Sequence, residues 1–250
     1  MPEKNPPLPL EGIAASTGTI EPDSIGYTAY HRLRAQVLQS STRSYQARGI
    51  LAVRCTRCQL KTNYCVCAHL RPIASPVEFV LIMHRDELFK PTNTGRLIAD
   101  CFPGQTHAFC WDRLHPHPAL LALLADPARE CLVIFPGDEG GPRPVLTQPQ
   151  STSRLLTLLV LDGTWKQGRR MYNLSPWLQQ VPALKLNPAA RGEYATRVAA
   201  HDEYLSTAES AALALSLAGE IPLGQHLFDY FAVFNKHYAA MRRNLVPPAM

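Results

Sequence analysis

Residues 155–161 are apolar at every position but Thr157, and they run straight into Asp162-Gly163-Thr164-Trp165 and a segment of helical periodicity from Lys166. A strand with no polar alternation must be buried on both faces, as in a parallel sheet covered by helices on both sides. Runs of the same kind recur at 79–83, 108–111, 131–135 and 184–186, and stretches with helical length and spacing lie near 94–101, 119–125, 166–172, 207–217 and 223–243. The expected fold class is therefore α/β, a mostly parallel sheet with helices on both faces. The Gly-, Pro- and acid-containing loop 136–149 follows a strand's carboxyl end, where open α/β sheets place ligands.

With 250 residues, 46% of them hydrophobic, the chain can bury a sizeable core, which excludes wholesale disorder. No apolar run reaches the roughly 18 to 20 residues that cross a bilayer, and the first ten residues carry Pro and charge where a secretory signal has its apolar stretch. A cytoplasmic location is expected. Three regions follow from composition: a flexible leader at 1–24, a basic helix and cysteine segment at 25–75, and the α/β body at 76–250. There is no internal repeat and no glycine-rich dinucleotide or Walker-type loop.

Four of the seven cysteines are spaced Cys55-x2-Cys58-x6-Cys65-x-Cys67. Such close spacing suits one tetrahedral Zn²⁺ with all four positions filled, hence a structural ion, His69 being the spare ligand; a reduced cluster without metal is the alternative. Cys101, Cys110 and Cys131 lie in apolar contexts and read as buried, inert thiols. Tyr30, Leu33, Val37 and Leu38 have helical spacing, and from His31 to Arg71 eight Lys or Arg residues occur without an Asp or Glu. That local excess favours contact with nucleic-acid phosphates, a solvated helix face being the bland alternative.

Three further segments carry polar residues at element ends. In the DGTW turn, Asp162 closes a strand, Gly163 offers backbone freedom and Trp165 a flat face, although Asp162 or Thr164 could simply cap the next helix. In residues 83–100, a polar turn that includes Lys90 precedes a helix whose N-terminal amides, with Asn93, Thr94 and Arg96, could hold a phosphate or carboxylate, with Thr92 or Thr94 as ordinary caps; His84 is either a loop residue or a proton handler. In Tyr204-Leu205-Ser206-Thr207-Ala208-Glu209, Ser206 and Glu209 have capping-box spacing.

The cysteine cluster, KPTNTGRLIAD, Phe135-Pro136, DGTW and the TAE helix start occur in an order that resembles the DTW-domain family of tRNA-uridine aminocarboxypropyltransferases, over roughly 54–244. The resemblance implies a fold similar to the trefoil-knotted (SPOUT-like) RNA methyltransferases with a small N-terminal zinc-binding segment. It also implies tRNA as partner, and S-adenosylmethionine as co-substrate bound by Phe135, Pro136, Gly137, Gly163, Thr164, Trp165, Leu205, Ser206, Thr207 and Glu209. The product would be a uridine carrying the 3-amino-3-carboxypropyl group on N3, with methylthioadenosine released. Asp162 is the candidate acceptor of the N3 proton. Lys90, Asn93, Thr94, Arg96, Lys166, Arg169, Arg170 and Arg197 are expected at the RNA, with Arg96 or Arg197 alternatively on the cofactor carboxylate. The rivals are an RNA methyltransferase of similar fold and a zinc-bearing RNA-binding protein without catalysis.

Overall fold

Strands β1 (Glu78–Met83), β2 (Thr106–Cys110), β3 (Arg129–Ile134), β4 (Val145–Leu146), β5 (Leu155–Asp162) and β6 (Ala183–Leu184) form one sheet in the order β2-β1-β5-β3-β6-β4, every pair parallel. The computed structural model describes residues 28–40, 52–137, 141, 143–150, 153–186 and 205–248. The expected leader, the basic residues of 41–51 and Arg197 lie outside them. Among the described residues, no helix is long and apolar enough to cross a membrane.

The unalternating runs do what their composition dictates. Phe79, Leu81, Met83, Leu132, Ile134, Leu158 and Val160 point into one core, while Val80, Ile82, Val133 and Leu159 point into another. The first core is shared with helices α1 (Ala29–Gln39), α2 (Gly95–Cys101), α5 (Thr207–Leu217) and α6 (Ile221–Arg243); the second takes in α3 (Pro118–Ala125) and α4 (Trp165–Leu174). Helices on both faces are thus observed, and with them the reason the central runs 79–83, 132–134 and 158–161 carry no polar side chain.

Helix starts follow local chemistry. Thr164 caps α4 in a capping box with Gln167, and Ser206 caps α5 in one with Glu209, each cap contributing about 1 kcal/mol. Thr164, not Asp162, is therefore the cap that the DGTW turn supplies. Helix α6 ends at Asn244, whose left-handed φ of 50° is the conformation usual after a helix's last turn.

The cysteine segment packs onto the body. Cys58, Leu60, Tyr64, Val66 and Leu70 are buried in the same core as Phe234, Ala240 and Met241 of α6. The Tyr64 hydroxyl donates to the Leu245 carbonyl at 2.7 Å, and His237 Nδ1 lies 3.2 Å from the Tyr64 carbonyl. Strand β4 was not anticipated within the loop 136–149, and β6 lies at 183–184 where 184–186 was expected. Both have two residues, too few for a period to show.

Candidate functional site

Met83 of β1 is level with Asp162 of β5, so the residues that follow, His84 and Gly163, leave the sheet side by side at its carboxyl edge. Alternation along β5 sends the Asp162 side chain the way of Leu158 and Val160, under α2 and α5. There it is 2% exposed. Its Oδ2 accepts a very short hydrogen bond from Asn93 Nδ2, and its Oδ1 accepts one from Thr207 Oγ1 at 2.8 Å. Asn93 Oδ1 in turn accepts from the Arg96 amide at 3.0 Å. The Cα of Gly95 sits against the carboxylate: a Cβ there would lie 2.8 Å from Asp162 Cγ. One side chain therefore ties together the end of β5, the start of α2 and the start of α5. Burial pushes its pKa up to about 6, against the hydrogen bonds from Thr207 and Asn93 that favour the anion.

Arg96 corrects an expectation. It is fully buried, donates through Nη2 to the Pro91 carbonyl at 3.0 Å and lies over the Phe234 ring at 5.0 Å, while its Nε and Nη1 have no hydrogen-bond partner among the described residues. It does not face a phosphate on the surface; its charge acts inward, favouring the Asp162 anion. Asn93, 3% exposed, is likewise committed to Asp162. Thr94 is half-buried and accepts from the Ala208 amide at 3.4 Å, and Lys90 donates to Glu87 at 2.6 Å. Lys166, Arg169 and Arg170, by contrast, are exposed on the outer face of α4.

On the α4 side of the edge lies an aromatic stack. Trp165, 44% exposed, stacks on Phe135 with ring centres 5.5 Å apart, Phe135 stacks on Tyr172 at 4.1 Å, and the Arg143 guanidinium covers Tyr172 at 3.6 Å. Tyr172 and Arg143 were not foreseen, since nothing in their local sequence marks them. Pro136 is exposed beside this stack and Gly137 turns the chain after β3 at φ 72°, where an added Cβ would strike Val145 at 2.6 Å. Gly163 owes its place to close packing, not to backbone freedom: its φ is not positive, and a Cβ would lie 3.0 Å from Gln167 Cβ. At the start of α5, Leu205 and Thr207 are half-buried, while the side chains of Ser206 and Glu209 are occupied by their mutual capping bonds.

The four cysteine sulfurs lie within 4.8 Å of one another, with Cys55–Cys67 at 3.6 Å and Cys58–Cys65 at 3.7 Å. Disulfides need about 2.05 Å. Four Zn–S bonds of about 2.3 Å in a tetrahedron give sulfur separations of about 3.8 Å, so the cluster fits that ion. The thiols also conflict without a cation. Hydrogen bonding from Cys67 draws Cys58 down to about 4, while donating to Cys58 pushes Cys67 up and burial pushes Cys65 up to about 11. His69 is not part of the cluster. Burial raises the pKa values of Cys101, Cys110 and Cys131, Cys131 to about 11, which keeps them protonated and unreactive.

Open parallel sheets place their ligands at this edge, so the fold and the groups gathered on it define an α/β protein whose candidate site lies at the ends of β1, β3 and β5. Comparison with known families makes the class specific. Residues 52–239 match the DTW domain, and the chain belongs to the DTW domain family. It is 26% identical over 173 residues to tRNA-uridine aminocarboxypropyltransferase 2 of Macaca fascicularis, and 27% over 169 residues to that of Mus musculus. Each of these alignments covers 65% of this chain and 55% of the relative, so the chain spans about half the length of these curated relatives. The Drosophila melanogaster protein of the same name is 26% identical over 175 residues, 68% of either chain. No solved structure matches.

Proposed function

We propose that this chain transfers the 3-amino-3-carboxypropyl group of S-adenosylmethionine to N3 of a uridine in tRNA, with release of methylthioadenosine. The observation that carries the proposal is the Asp162 clamp: a carboxyl group at the end of the central strand, 2% exposed, raised to about 6 and bonded to a half-buried hydroxyl. A proton acceptor works best with a pKa near the working pH. The carboxylate does not itself reach the surface, so the proton's path runs through Thr207, whose Oγ1 takes the N3 proton as it gives its own to Asp162. Arg96 keeps the anion available by charge.

The site's two sides divide the binding. Trp165 and Phe135 offer a flat apolar face for a nucleoside, with the Gly137 turn and the Leu205–Thr207 backbone beside it for the polar groups of the donor. The bound donor would supply an electron-poor carbon next to its sulfonium, and what the protein adds is chiefly orientation. Lys166, Arg169 and Arg170 lie exposed where α4 leaves that site and are assigned to the RNA backbone. Cys55, Cys58, Cys65 and Cys67 would hold a structural Zn²⁺ that fixes the cysteine segment against α6. The all-parallel sheet supports the expected kinship with trefoil-knotted RNA methyltransferases, and a tRNA substrate agrees with the expected cytoplasmic location. Mass spectrometry of tRNA nucleosides from cells with and without the gene tests the reading: loss of a uridine about 101 Da heavier than normal, the net gain when the group replaces the N3 hydrogen, supports it, and an unchanged nucleoside profile refutes it.

A further inference from the structure

His84 follows β1 and stands beside the DGTW turn: its amide donates to the Asp162 carbonyl at 2.9 Å. Its ring points to the α4 side of the sheet, away from the Asp162 carboxylate, and stacks on Trp111 with centres 5.9 Å apart and planes 23° from parallel. Trp111 is itself fixed, its indole donating to Ser175 Oγ at 2.9 Å and Ser175 donating to the Met171 carbonyl at 2.7 Å. The imidazole is thus held on a rigid plate, with its side chain 21% exposed.

Which ring nitrogen carries the proton follows from the partners. Nδ1 is met by two donors within hydrogen-bond reach, the Asp86 amide at 3.3 Å and Gln167 Nε2 at 3.1 Å, while the exposed Asp86 carboxylate stands off at 3.6 Å, too far to accept from it. The orientation of the Gln167 amide is fixed by its capping role, because Gln167 Oε1 accepts from both the Thr164 amide and the Thr164 hydroxyl at 2.8 Å. Its NH2 must therefore face His84. A nitrogen met by two N–H groups serves as acceptor, so the neutral ring carries its hydrogen on Nε2, the atom for which no hydrogen bond is found among the described residues. The capping box of α4 sets both the helix start and the tautomer of a residue 83 positions away.

We propose that His84 is a further catalytic residue, whose Nε2–H donates to a carbonyl oxygen of the target uracil lying beside the DGTW turn. The inference rests on the reading of the reaction given above. In that reaction the N3–H bond breaks and its proton goes to the Thr207–Asp162 pair. The N3–carbon bond forms as the carbon–sulfur bond breaks, and the electron pair of that bond stays on sulfur. The positive charge of the sulfonium and the negative charge of the uridine anion cancel. Before that cancellation the anion's charge is spread over N3 and the flanking carbonyl oxygens, and a prepositioned neutral donor is strongest where such charge develops. Gln167 and Trp111 are positioning residues in this scheme.

The test uses the full chain, purified tRNA and S-adenosylmethionine. Nitrogen-15 NMR of the histidine side chains should show His84 as the Nε2–H tautomer in the wild type, and Gln167→Glu, which puts an acceptor against Nδ1 and keeps the cap, should move the hydrogen to Nδ1. His84→Phe retains the stacking ring without the donor; single-turnover transfer should fall about 10²- to 10³-fold, the loss typical for one oxyanion donor, with tRNA affinity and melting temperature unchanged. His84→Gln, which carries an N–H near the Nε2 position, should recover at least a tenth of the wild-type rate. An Nδ1–H tautomer in the wild type, or transfer by His84→Phe within threefold of wild type, overturns the role of His84 while leaving the reaction standing. A wild-type protein that transfers no aminocarboxypropyl group overturns the parent reading and the role with it.

Discussion

The cysteine cluster and the Asp162 clamp both gather polar groups inside the protein, yet they balance charge in opposite ways. Around Asp162 one buried carboxyl meets neutral donors, Asn93 and Thr207, and answers burial by holding its proton up to a pKa of about 6. In the cluster four thiols sit in mutual contact, and a bound cation would let them ionise together. In the proposed reading the first is a site that can change its charge during a reaction, and the second is a fastener that a bound ion would complete. That difference separates the chemistry from the scaffold, and acid should act on the two in opposite directions.

The largest effect belongs to the fastener. Structural zinc contributes about 10 to 16 kcal/mol of apparent binding energy in small zinc-held segments, so chelation or Cys58→Ser should release the cysteine segment from α6 and lower the melting temperature steeply. Metal analysis by mass spectrometry should find one zinc per chain. Metal-free protein that melts with the loaded form would remove the contrast altogether.

The clamp comes next. Its carboxyl pKa is raised from 3.8 to about 6, so the native state binds that proton more tightly than the unfolded chain does between these values. The associated stability is full below about pH 4 and is lost as pH rises through about 6, amounting to about 3 kcal/mol for a shift of this size. Asp100, fully buried and 3.3 Å from Arg57 Nε, is pushed up to about 6 by burial and adds to the trend. The cluster should work the other way, because protons would displace a bound metal as pH falls. Asp162→Asn, isosteric and uncharged, can keep both contacts if the Thr207 hydroxyl turns to accept. Denaturant melts at pH 7.5 should find it as stable as wild type or more so, by up to about 3 kcal/mol, with turnover lower by about 10²- to 10⁴-fold. An Asn variant that is both active and less stable would reverse the assignment.

Smaller effects sharpen the geometry. Gly95→Ala drives a Cβ to 2.8 Å from the Asp162 carboxyl and should cost about 1 to 3 kcal/mol in chemical melts. Gly168→Ala, in helix α4 with nothing within 4 Å of the new atom, should stabilise by about 0.4 to 1 kcal/mol. Equal outcomes for the two would mean that Gly95 does not pack on the carboxylate.

Much of this was readable from residues whose signal is local. The apolar runs announced the parallel sheet, the cysteine spacing announced a cluster that could hold a metal, and Ser206 with Glu209 announced the start of α5. What escaped depends on contacts between distant segments. Arg96 looked like a surface cation because nothing in its neighbourhood showed that Phe234 and Pro91 would enclose it. His84 was ambiguous because Gln167 and Trp111, which fix its ring, reach it from α4 and from the end of β2. Gly163 was credited with a freedom that Gly137 has.

The most direct test of the central claim follows the two arms of the donor separately. Purified protein with tRNA and S-adenosylmethionine labelled either in the carboxyl carbon or in the methyl group should move only the carboxyl label into tRNA, one methylthioadenosine appearing for each group transferred. Methyl label in the tRNA with S-adenosylhomocysteine as by-product, or neither label transferred, would contradict it.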